Sequence, residues 1–170
     1  MLVPSSDTIA NGTTFAKTTQ LYQSLQPLSE RINHIIKLAE PQFYEALVKL
    51  REVSSSKHAT LATYNNLDPL LMEGRELLFN RKSGRHIDLQ DPVLGYAGLL
   101  SLGNFDRGGS LYLHQLNLKV SLLPGDFVLI RGRVLEHEIE DWDGGQRISI
   151  PHFTHTSLWR DCGLAHLVAI

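Results

Sequence analysis

The chain has 170 residues, with sixteen Lys and Arg against eighteen Asp and Glu, which suits one domain with a single buried core. The near balance of charge excludes a protein held to polyanions by bulk attraction, although eight of the basic residues fall between Arg75 and Arg133 and leave room for a local positive patch. The lone Cys162 excludes an intrachain disulfide or a multi-cysteine zinc site. With no leader pattern and no uncharged apolar run of about eighteen residues, the expectation is a soluble intracellular protein without a membrane partner.

Residues 1–20 are rich in Ser, Thr, Asn and Gly without apolar periodicity and predict a loose arm. From Leu28 onward, Leu28, Ile32, Ile35, Ile36 and Ala39 recur at helical spacing, with Ser29 as the expected N-cap. A second helix is expected from Pro41 to Val53, anchored by Phe43, Leu47, Val48 and Leu50 and ended by Ser54, Ser55 and Ser56. Beyond residue 60 the segments 75–80, 94–105, 110–120, 126–139 and 146–158 are short, apolar and β-branched, and read as strands. The turns between them fall at Asn104–Gly109, Pro124-Gly125-Asp126 and Asp143-Gly144-Gly145. The expected class is α+β, one domain over 1–170. Helices over 21–60 would buttress a double-stranded β-helix (a cupin-like jelly roll) over 61–170.

Within that sheet region His86 and Asp88 stand two positions apart, which in extended chain places both side chains on one face. His137 follows forty-nine positions beyond Asp88, near the end of the expected strand from Phe127 to Ile139. Two histidines and one carboxylate in this order match the facial triad of non-haem Fe(II) oxygenases. Its three open coordination positions suit a bidentate 2-oxo acid and O2. Arg147, ten residues after His137, and Ser149 at the next same-face position supply an anchor for the far carboxylate of 2-oxoglutarate. The remaining candidates carry ordinary readings. His114 and His152 are surface or hydrogen-bonded strand histidines, His34 and His58 belong to scaffold or loop, Gly108-Gly109 is a turn, and Trp142 and Trp159 pack.

The run from Asn80 to His155, about half the chain, resembles the 2-oxoglutarate dioxygenases of the TET/JBP type, which oxidise methylated bases in nucleic acid. The features that carry the resemblance are Asn80-Arg81, His86-x-Asp88-x-x-Asp91, Gly108-Gly109-Ser110-Leu111, Pro124-Gly125-Asp126, His137, and Arg147-x-Ser149 with Phe153 and His155. It implies that Arg147 binds the distal carboxylate and that Arg81, preceded by Asn80, approaches the carboxylate nearest the metal. It further implies that Asp91 and His155 hydrogen-bond the edge of a flipped base while Phe153 stacks on its face. The expected reaction is oxidation of 5-methylcytosine in DNA to 5-hydroxymethylcytosine, with the endpoint of any further oxidation left open, by a monomer that a DNA substrate would locate in the nucleus. N6-methyladenine demethylation by the same chemistry is an alternative. So are a prolyl-type protein hydroxylase, whose anchor is often Lys, and a non-enzymatic cupin-like binding module.

Overall fold

The computed structural model describes residues 5–168, which gather into two compact units. One reaches Leu71 and takes in Leu158–Leu167; the other is Met72–Ser157 with Val168. No helix among the described residues is long and apolar enough to cross a membrane.

The first unit is helical: α1 (Ser6–Ile9), α2 (Gly12–Ala39), α3 (Pro41–Lys57), α4 (Ala59–Leu67) and most of α5 (Thr156–Asp161). The expected loose arm is therefore helical from Gly12, while its residues 1–4 lie outside the described residues. Asn11 accounts for the early start, because its extended backbone lets the side chain accept the Thr14 N–H at 2.9 Å. Ser29 is not a cap: it is fully buried inside α2, in line with Ile32 and Ile36. The three serines likewise continue α3 rather than end it. Ser54 and Ser56 donate their hydroxyls back to the carbonyls of Arg51 and Val53, at 3.2 and 2.8 Å, so they cease to compete with the helix. Helix α4 buries no side chain fully and so offers no apolar period to read.

Segment 67–71, which leaves α4, is held by side chains rather than by backbone ladders. Gln26 donates to the Leu67 carbonyl at 2.8 Å, and Asn33 brackets the chain by donating to Pro69 O at 2.7 Å and accepting from Leu71 N–H at 3.0 Å. Arg51 donates to the carbonyls of Asn65, Asp68 and Leu70. These bonds satisfy the end of α4 where no further helix exists to do so.

The second unit carries β1 (Gly74–Arg75), β2 (Leu78–Phe79), β3 (Ala97–Gly103), β4 (Arg107–Gly108), β5 (Leu111–Leu113), β6 (Leu118–Val120), β7 (Phe127–Ile130), β8 (His137–Ile139), β9 (Trp142–Asp143) and β10 (Arg147–Phe153). Pairing is antiparallel throughout these strands, in a sheet ordered β1-β10-β3-β7 with β2 also on β10, a sheet ordered β6-β5-β8, and the pair β4-β9. Ala97 and Ile130, register partners on β3 and β7, join Leu111, Leu113, Leu122 and Ile139 in one apolar cluster, so the two larger sheets share a core. The α+β class therefore stands.

Several expected strands are shorter than their apolar runs. Segment 126–139 breaks into β7 and β8 in different sheets, because Val134 and Leu135 both turn their N–H groups onto the Arg131 carbonyl at 2.9 Å. His137 therefore opens β8 instead of closing a long strand. Segment 110–120 is interrupted by a 3-10 turn at His114–Leu116, closed by Asn117 at φ 47°. Segment 146–158 stops being strand at Phe153. Between β1 and β2 the ladder lapses opposite Pro151, which accepts the Glu76 N–H at 3.1 Å but has no N–H to return.

Replacing Asn33 with Ala strips two hydrogen bonds from a partly buried loop and should cost about 1–3 kcal/mol. In thermal unfolding this is read as a Tm lower by about 3–10 °C; an unchanged Tm would show that the loop does not depend on Asn33.

Candidate metal centre and pocket

His86 lies outside any extended strand, yet it is joined to β8 by a single antiparallel bridge. Its N–H donates to the His137 carbonyl at 3.0 Å, and His137 N–H donates to the His86 carbonyl at 2.9 Å. Two residues on, Asp88 N–H donates to the Gly132 carbonyl at 2.9 Å. Backbone bonds alone thus bring three ligand-type side chains together.

The imidazoles are oriented by their other nitrogens. Nδ1–H of His86 donates to Gly84 O at 2.7 Å and Nδ1–H of His137 to Leu135 O at 2.8 Å. Both Nε2 atoms are left as lone-pair donors facing Asp88. His86 Nε2 lies 3.4 Å from one Asp88 carboxylate oxygen and His137 Nε2 lies 3.9 Å from the other, with all three ligand atoms within 4.8 Å of one another. Donors about 2.1 Å from one ion and at right angles to each other are about 3 Å apart, so the set closes on a first-row cation by drawing together. Burial is the main cause holding His137 below the usual histidine value, which keeps it in the neutral form a metal requires. An Fe(II) ion fits this donor set.

The same residues line a cavity of about 520 Å³ that also receives Arg81, Asp91, Arg147, Ser149, Phe153 and His155. Arg147 is only 2% exposed, and its guanidinium has no acidic partner among the described residues. It donates to Ser149 Oγ and lies 5.8 and 5.7 Å from the Phe105 and Trp142 rings. Its Nε is buried without a partner. Gly109, at φ +66°, makes this packing possible, since a Cβ there would stand 3.2 Å from Arg147 Nε and 3.1 Å from the Phe105 ring. A buried cation held by aromatic faces and one hydroxyl has the charge and free donors to receive an anion.

Asn80 does not line the cavity. Its N–H donates to Arg147 O at 2.8 Å and its side-chain oxygen accepts Arg147 N–H at 2.9 Å, so it holds the strand that bears the guanidinium. Asn80 adopts φ 51°, a left-handed conformation that asparagine tolerates better than most residues. Arg81 is exposed at the rim of the cavity.

Phe153 and His155 sit side by side, with ring centroids 4.9 Å apart. Gly74, the register partner of Phe153, leaves the space its ring fills, since a Cβ there would come within 2.2 Å of that ring. The backbone N–H of His155 donates to the Glu73 carboxylate at 2.7 Å. Asp91 is buried, and burial first, then the charge of Asp88, push its carboxyl up to about 7 against the opposing pull of Arg133.

Sequence reasoning passed over Gly132. A Cβ at this position would stand 1.9 Å from an Asp88 carboxylate oxygen, so only glycine lets the ligand lie where it does. The available signal was a glycine interrupting an apparent strand, which marks a bulge or a close approach. The expected positive patch is also weaker than the count of basic residues implies. Lys82, Arg85, Arg107 and Lys119 pair with Asp141, Glu136, Asp143 and Glu140, while Arg131 and Arg133 donate to Tyr96 Oη and the Leu89 carbonyl.

No family model matches the chain, and no curated protein matches it in sequence. Among solved structures, one described as NgTET1 in complex with 5mC DNA matches with a TM-score of 0.61 and 19% identity. The match covers 87% of this chain and 53% of the other, so the chain spans about half the length of that protein. The likeness shows a TET-like fold.

Gly132→Ala should weaken binding of Mn(II), used as a stand-in for Fe(II), by about 10–100-fold in calorimetric titration while the chain still folds. Unchanged affinity would show that Asp88 is not held by this contact. Burial holds His155 below the usual histidine value, against the opposing charge of Glu76. The unfolded chain therefore binds that proton more readily, and stability falls as pH drops through the ordinary histidine range. His155→Gln removes this loss, so the Tm of the variant relative to wild type should be more favourable near pH 5 than near pH 8, by about 1–2 °C. An equal difference at both pH values would contradict it.

Proposed function

We propose that the protein is an Fe(II)- and 2-oxoglutarate-dependent dioxygenase of the TET/JBP type that oxidises the methyl group of 5-methylcytosine in DNA, giving 5-hydroxymethylcytosine first. One observation carries the reading: a convergent His86, Asp88 and His137 share a cavity with the buried, acid-free guanidinium of Arg147. We read the facing antiparallel sheets as a double-stranded β-helix, and residues 1–170 as one monomeric dioxygenase domain working in the nucleus.

His86, Asp88 and His137 would hold ferrous iron, which would supply oxidation of a C–H bond by O2 coupled to conversion of 2-oxoglutarate to succinate and carbon dioxide. In this reading Arg147, steadied by Ser149, holds the far carboxylate, and Arg81 at the rim attracts the end nearest the metal. Asn80 contributes by fixing the Arg147 backbone. Asp91 and the neutral His155 read the base edge, and Phe153 stacks on its face. A base reaches them only by leaving the duplex, at a cost of about a few kcal/mol in stacking and pairing. The complex of the fold neighbour with 5mC DNA supports DNA as the partner. With four of the eight basic residues between Arg75 and Arg133 already paired to acids, binding should be weak and salt-sensitive.

The test is a defined duplex bearing 5-methylcytosine or N6-methyladenine, incubated with Fe(II), 2-oxoglutarate and air and analysed by mass spectrometry. Hydroxymethylcytosine is the expected product; demethylated adenine would move the substrate to the alternative. Succinate formed with neither base changed would overturn both and favour a protein hydroxylase. Asp91→Ala and His155→Ala should each lower base oxidation by about 100-fold or more while sparing DNA-independent succinate formation. Retained base oxidation would remove these residues from the pocket.

A further inference from the structure

Two polar side-chain atoms on the sheet face that bears Arg147 are buried without a hydrogen-bond partner among the described residues: Arg147 Nε, of a residue lining the cavity, and Ser101 Oγ, of a residue just behind that lining. The first belongs to the anion receptor already described; the second has no role there. Ser101 is fully buried on β3, between β10 and β7. Its register partner on β10 is Ser149, the residue that accepts from the Arg147 guanidinium.

The hydrogen bonds around Ser101 show where its side chain stands. Its N–H donates to Asp126 O at 3.0 Å and its carbonyl accepts Gly125 N–H at 2.7 Å, so its backbone bonds run away from β10. Ser101 and Ser149 are therefore a non-hydrogen-bonded antiparallel pair, the kind whose Cα atoms are about 4.5 Å apart and whose side chains lie closest. By the two-residue alternation of a strand, Ser101 shares its face with Ala97 and Leu99, which line the cavity, as Ser149 shares its face with Arg147. Its neighbours along β3 on that face, Ala97 and Leu99, are apolar, and Ser149 across the pair is already engaged by Arg147. Alanine or valine would suit such a place, whereas a hydroxyl without a partner is costly there.

We propose that Ser101 is a ligand-binding residue: its hydroxyl donates, from the strand beside β10, to the carboxylate seated on Arg147. The ligand class is a 2-oxo dicarboxylate. Ser101 would act on its remote carboxylate alone and so discriminate it from 2-oxo monocarboxylates. This rests on the reading of the site as an Fe(II) and 2-oxoglutarate centre, to which it adds a residue that selects the cosubstrate.

The experiment uses the full chain loaded anaerobically with Fe(II) and titrated with 2-oxoglutarate or with pyruvate, which lacks the remote carboxylate. Binding is followed by the visible charge-transfer absorption of the chelate. Ser101→Ala should weaken 2-oxoglutarate binding by about tenfold and leave pyruvate unchanged, and Ser101→Thr should restore most of the loss. Because alanine removes an unsatisfied hydroxyl, the ligand-free alanine variant should melt no lower than wild type. An affinity for 2-oxoglutarate within about twofold of wild type, an equal loss for both acids, or a lower Tm without ligand would each overturn the role of Ser101. Wild-type protein that binds neither acid would overturn the functional reading itself, and this role with it.

Discussion

Two backbone hydrogen bonds between His86 and His137 govern the arrangement of the candidate centre. They fasten an irregular segment to the first residue of β8, and they do so at the two residues whose imidazoles face Asp88. The neighbouring bonds reinforce the clamp, with Ile139 N–H donating to Ser83 O at 3.0 Å and Asp88 N–H donating to Gly132 O. Because each imidazole also spends its Nδ1–H on a nearby carbonyl, ring rotation is restricted as well. The ligand set is thus assembled by the polypeptide, and a cation would meet donors already oriented rather than gather them from a mobile loop.

The electrostatics of the cavity are divided along its length. A carboxyl and two imidazoles give one region the donors for a cation, and the buried Arg147 gives another the charge to hold an anion. Neither is neutralised by the other, which distinguishes this arrangement from an internal salt bridge. A buried charge left unpaired weighs against stability, so the fold maintains Arg147 against its own interest, with aromatic faces and Ser149 in place of an acid. Outside the cavity the pattern is the opposite, because basic side chains there find acids nearby.

Much of this could be read in the sequence where chemistry needs particular side chains. His86, Asp88, His137 and Arg147 stood out by type and spacing, and the structure brings them to one cavity together with Arg81, Asp91, Ser149, Phe153 and His155. What escaped were residues that act through their backbone or through being small. Gly132 matters because it lacks a Cβ, which leaves no periodic trace, while Asn80, expected beside the cosubstrate carboxylate, instead bonds the Arg147 backbone. Among the helices, the sequence located the end of α2 at Ala39 and the start of α3 at Pro41, and missed the start of α2 and the end of α3. Those ends depend on one Asn cap and on serine hydroxyls folding back, which are local hydrogen-bond choices. The overlong strand at 126–139 failed for a related reason: an apolar run does not reveal that its chain changes sheets midway.

Strand β10 presents Arg147, Ser149, Pro151 and Phe153 on one face, with β3 paired along most of its length. The six residue steps from Arg147 to Phe153 span about 20 Å of extended chain, so β10 works as a rigid ruler between anion receptor and aromatic face. Its graduations are two residues wide. An inserted or deleted residue within it would turn one of these groups out of the cavity altogether, whatever the side chains around it did. Evolution of such a site can exchange the side chains at either end freely, but the spacing between them is inherited with the backbone.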